Sequence, residues 1–148
     1  MLILIVFTLV NSCNIVKHNE TKMNETDAYV LKINKNKRLE ETFIEGVLTD
    51  VSGNIDQGYF KYNTFYDYKT KELYRIKHTE TTKHTVTENF YFNNKKLVFI
   101  TTKTENDLPK KIYIHKGKVL NNKKNHSQYE VDLLNKAGLF QNEFNKAD

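Results

Sequence analysis

The chain has 148 residues, 39% of them hydrophobic and 12% aromatic, which fits one domain with a modest core and excludes wholesale disorder. Its formal net charge of +5 comes from 23 Lys and Arg against 18 Asp and Glu, spread along the whole chain, and only Arg38 and Arg75 are arginines. That dispersal lacks the clustering a nucleic-acid surface needs, so nucleic acid is not expected as a partner.

Met1 to Val10 is a continuous apolar run broken only by Thr8, too short to span a bilayer and suited to the core of a signal peptide. Cys13, the only cysteine, follows directly. Val10-Asn11-Ser12-Cys13 resembles the lipobox of bacterial lipoproteins, in which a small residue precedes a cysteine that is lipidated and becomes the new N-terminus. Ser12 supplies the small residue, whereas Asn11 stands in place of the usual Ala or Ser and no basic residue precedes the run. The reading is residues 1–12 as signal peptide, 13–26 as a lipidated tether and 27–148 as a single α+β domain. Asn14 to Thr26 is polar and without periodicity, and a disordered tether is expected there.

From Asp27 the pattern is mixed, and one or two short helical turns are expected before Phe43. Phe43 to Val51 reads as a strand ended by Ser52-Gly53-Asn54. Gly58 to Tyr68 follows as a strand with aromatic residues on both faces, then Leu73 to Thr79 after the Lys69-Thr70-Lys71 turn. Centring the next turn on Thr81 sets Ile76 opposite Val86, Tyr74 opposite Glu88 and His78 opposite His84. Thr85 to Ile100 is the clearest hairpin. Its alternation of Val86, Phe90 and Phe92 with polar residues turns across Asn94-Lys95, a type I′ candidate. That register places Phe92 opposite Leu97 and Phe90 opposite Phe99 as core partners. Lys111 to His115 and Val119-Leu120 continue the meander around Lys116-Gly117. The end is helical: Ser127 and Glu130 form a capping box, and Tyr129, Leu133, Ala137, Phe140 and Phe144 share one face. The fold expected is α+β, an antiparallel meander of about five or six strands with one face on the C-terminal helix.

No Gly-rich phosphate loop or nucleophile elbow is present, and the carboxylates are scattered without a local pair whose surroundings would split their pKa values, so neither an enzyme nor a cofactor is expected. His78 and His84, as cross-strand neighbours near Glu80, are the candidate metal ligands, although a structural zinc site wants four. Tyr59, Tyr91 and Tyr113 are candidates for an amphipathic binding face.

Together the lipobox, the stretch Glu88 to Phe99 and the stretch Lys111 to Lys118 resemble small uncharacterised lipoproteins of Bacteroidetes-type bacteria. Lys95 stands where glycine is usual in their hairpins. The resemblance implies an antiparallel sheet and an envelope location, held by lipid to the periplasmic or surface face of a bacterial membrane. The functional expectation is a non-enzymatic envelope protein that binds a protein partner or plays a structural role, an inhibitor or immunity-type protein being one version. The alternative is a small metal- or ligand-binding module using His78 and His84.

Overall fold

A computed structural model describes the backbone of residues 3–53, 56–120 and 127–147, and side chains within those ranges from Lys17 to Lys146. Seven antiparallel strands lie side by side in chain order: β1 (Glu40–Thr49), β2 (Asp56–Tyr66), β3 (Leu73–Thr81), β4 (Thr85–Asn93), β5 (Lys96–Thr104), β6 (Lys110–His115) and β7 (Lys118–Val119). Every connection between them is too short for a crossover, which leaves a meander as the outcome. The count is seven rather than five or six, the last strand being the two-residue β7, which pairs with His115 and Ile114 of β6. Helices α1 (Ile3–Lys35) and α2 (Gln128–Ala147) complete the fold.

Two cores result, one on each side of the sheet. Ile76, Phe90, Phe92, Ile100 and Ile112 face α2, whose Leu133 and Ala137 are buried against them with Phe140 and Phe144 alongside. Tyr91, Phe99 and Tyr113 point the other way, onto Ile33 of α1, with Met23, Tyr29 and Val30 packed around them. A sheet covered on one face only is therefore corrected to a three-layer arrangement. Tyr129 also departs from expectation: it is exposed at the start of α2, while the other four residues of its stripe pack inward.

The expected disordered tether is helical. Asn14 to Thr26 belongs to α1, and the short turns expected after Asp27 are its last part. Few apolar residues mark this segment, so its helix rests on tertiary contact rather than on a strong stripe. Met23, Val30 and Ile33 recur at helical spacing toward the sheet. Asp27 accepts hydrogen bonds from the Tyr113 hydroxyl at 3.0 Å and the Lys111 ammonium at 3.3 Å. Asn34 takes Tyr91 Oη and an Arg75 guanidinium N–H, and Tyr29 donates to the Phe92 carbonyl.

The Asn94-Lys95 turn is type I′, with φ of 49° and 61°. Asn93 pairs with Lys96 and Phe92 with Leu97 as expected, but a bulge then intervenes and Tyr91 meets Phe99 while Phe90 meets Ile100. Val98 is the extra residue, and it turns with Phe99 to the α1 face. The β3–β4 register also differs from expectation. Ile76 pairs with Phe90 and His78 with Glu88, and the turn spans Thr82 to His84. This register brings Ile76 against a large apolar side chain and lines up Thr79 with Thr87 and Thr81 with Thr85. Gly58 is the one position that tolerates no side chain on two counts, with φ of 145° and a Cβ that would collide with the Thr81 carbonyl.

Candidate functional site

Beyond the two helices, the β1–β2 ribbon carries apolar side chains into solvent. β1 is an edge strand of ten residues with β2 on one side and no strand on the other among the described residues. Phe43 is 57% exposed, Ile44 63% and Val47 47%. Strand alternation divides them. Glu41, Phe43, Glu45 and Val47 share the α1 side of the sheet, where Lys61 lies over the Phe43 ring and 3.8 Å from Glu45. Asn63 donates to Glu41 at 2.8 Å. Thr42 and Ile44 face the α2 side, with the Thr42 hydroxyl bonded to that of Thr64.

On the α2 side a cleft of about 440 Å3 opens between the ribbon and the end of α2. Ile44, Phe60, Tyr62, Phe140 and Phe144 give it apolar walls, His78 and the Thr42–Thr64 pair its polar points, and Glu143 stands at its rim. Gly46 makes room for the Phe60 ring, which a Cβ there would meet at 2.7 Å. Tyr62 donates its hydroxyl to the Phe140 carbonyl at 3.3 Å, and burial pushes that phenol above its usual range, keeping it a donor. The cleft is suited to an apolar side chain or a small amphipathic molecule.

His78, at the inner wall, is 6% exposed and committed to carboxylates. Its Nδ1 lies 3.3 Å from Glu88 and 3.5 Å from Glu80, so Nδ1 carries the proton. Lys136 of α2 reaches the same two carboxylates at 2.7 Å from Glu88 and 3.0 Å from Glu80. Burial alone would raise the Glu88 carboxyl, but hydrogen bonds from His78 and Lys136 outweigh it and hold Glu88 below its usual value. Burial likewise works against the Lys136 charge, and the bonds to Glu88 and Glu80 overcome it and raise its pKa. The cluster pins the middle of α2 to the sheet.

The expected His78–His84 pair is not formed. Glu88 takes the position opposite His78, whereas His84 is exposed in the β3–β4 turn. The shift of register separates the two imidazoles, and among the described residues no group of three or more His, Cys, Asp or Glu converges as a metal site. The tyrosine face divides in the same way. Tyr91 and Tyr113 are buried under α1, and only Tyr59, 67% exposed, stays open, on the ribbon. Cys13 lies in the helical span, but its side chain lies outside the described residues. No described helix is long and apolar enough to cross a membrane.

The chain matches no family model, no curated protein and no solved structure. Local sequence did not reveal the exposure of the ribbon, because β1 carries adjacent apolar pairs, Phe43-Ile44 and Val47-Leu48, as a strand covered on both faces would. Its only signal was Glu40, Glu41 and Glu45, three acids and no base in ten residues. The Glu88–Lys136 contact links residues on separate elements and left no local trace.

Proposed function

We propose that this chain is a non-enzymatic lipoprotein of the bacterial envelope, anchored through Cys13, that binds a protein partner along the β1–β2 ribbon. The observation that carries the binding half is the apolar edge: Phe43, Ile44, Val47 and Tyr59 are each about half exposed or more on one two-stranded ribbon. A long apolar edge left open is a liability for aggregation unless something uses it. The anchoring half rests on the lipobox-like residues Val10 to Cys13 and on the course of α1. His18 lies against His115 beside the β6–β7 turn, with ring centroids 6.2 Å apart. That contact, at the edge of the sheet farthest from β1, supports an anchor on that side. An anchor there leaves β1 pointing away from the membrane.

Labelled palmitate tests the anchor. The wild-type chain takes up label and sediments with membranes, and Cys13→Ser loses both; an unlabelled wild type contradicts the anchor. A photo-crosslinking residue at Val47 tests the binding in the cells that make the protein. A discrete adduct at Val47, and none at Leu108 on the distant β5–β6 loop, is expected. Equal crosslinking at the two positions contradicts a ribbon-specific partner.

A further inference from the structure

We infer that the partner's binding element is an extended basic and apolar segment that adds to β1 as an eighth strand. The inference rests on the partner-binding reading of the ribbon and specifies what lies on it. An edge strand offers a row of backbone donors and acceptors, and an incoming strand supplies the complement. The side chains of β1 then fix which strand fits.

On the α1 side, Glu41 and Glu45 flank Phe43 at two-residue spacing. An added strand places one side chain opposite each, and opposite charges pair favourably there while like charges repel. Basic residues four apart, with an apolar one midway, complement that row. On the α2 side Ile44 stands exposed beside the open cleft, so the incoming residue opposite it is apolar and covers the mouth. Basic residues thus stand opposite Glu41 and Glu45 and apolar ones opposite Phe43 and Ile44. An apolar residue opposite Thr42 as well makes the pattern basic-apolar-apolar-apolar-basic, which reads the same in either strand direction.

The same charges disfavour a second copy of the chain in the registers centred on Phe43 and on Glu45. Antiparallel self-pairing centred on Phe43 sets Glu41 opposite Glu45 twice. Centring on Glu45 sets the two Glu45 carboxylates opposite each other, and centring on Ile44 sets Glu45 against Phe43. Acidic side chains on this edge thus disfavour identical neighbours and favour a basic one.

The test uses the full chain and a nine-residue synthetic peptide centred on Lys-Val-Ile-Val-Lys, with binding read by fluorescence anisotropy. Saturable one-to-one binding is expected, weakened about tenfold or more when both lysines become glutamates. Glu41→Lys with Glu45→Lys, both at exposed positions, should reverse that preference; circular dichroism checks that the variant is folded. N-methylation of alternate peptide amides along one edge should abolish binding, and along the other edge should not. Equal affinity for the lysine and glutamate peptides, indifference to N-methylation on both edges, or no binding overturns strand addition. Dimerisation of the chain through β1 in sedimentation would overturn it too. A Val47 adduct in cells without peptide binding leaves the partner reading standing and removes only strand addition; loss of both removes the two together.

Discussion

Phe90 and Phe99 occupy adjacent strands yet face opposite sides of the sheet, Phe90 toward α2 and Phe99 toward α1. The extra residue at Val98 makes this so, because one inserted position inverts the alternation of everything beyond it. Both rings are almost fully buried, which gives each face its own aromatic centre.

Truncating either ring should therefore cost a similar amount, about 3–5 kcal/mol for Phe90→Ala and for Phe99→Ala. The local consequences should differ. Hydrogen exchange should speed up first in α2 for Phe90→Ala and first in α1 for Phe99→Ala. Loosening of the same helix in both variants would refute the division into two cores.

The buried ion cluster sets a pH dependence. Glu88 has a folded pKa below its ordinary 4.5, so its stabilising share is complete above that value and is lost as pH falls through the folded pKa. Lys136 has a folded pKa above its ordinary 10.5, so its share is complete below that value and is lost as pH rises through the folded pKa. Glu88→Gln should lower stability at neutral pH by about 2–3 kcal/mol, less than a fully buried pair because Lys136 keeps some solvent. The gap to wild type should close in acid, once the wild-type carboxyl is protonated too. Urea unfolding at neutral and acid pH checks this, and a gap constant with pH would show that the loss is one of packing alone.

At the start of α2 the capping box is complete, with Ser127 N–H donating to Glu130 at 3.2 Å and Glu130 N–H to Ser127 Oγ at 3.3 Å. Ser127→Ala should cost about 1 kcal/mol in thermal or urea unfolding. Ser127→Asp should retain most of the stability, since a carboxylate caps the same donors and favours the positive end of the helix. Equal losses in the two variants would mean that the cap carries little.

Features written in adjacent residues were legible in the sequence. The strands beyond Gly58, the Asn94-Lys95 turn and the Ser127–Glu130 box depend on neighbours a few positions apart; the turn and the box formed where the pattern placed them, and the strands within about four residues of their expected ends. What was missed depends on long-range contact. The Val98 bulge arises because Phe99 fits between Tyr91 and Tyr113 beneath α1, at ring-centroid distances of 5.7 Å and 4.8 Å, which no two-residue alternation encodes. The helix over Asn14 to Thr26 gains from Asp27 meeting Tyr113 and Lys111, more than eighty residues away. His78 and His84 were placed together by a turn centred two residues too early, and the true register gave His78 to Glu88.

Exchange of the β1 backbone amides measures most directly whether a partner closes the open edge. In the purified chain, outward-facing amides of Glu40–Thr49 should exchange quickly while those of β4 and β5 stay protected. In membrane vesicles from the cells that make the protein, the same β1 amides should become protected and the rest of the sheet remain unchanged. Identical exchange of β1 in both settings would contradict a ribbon that serves as the docking edge.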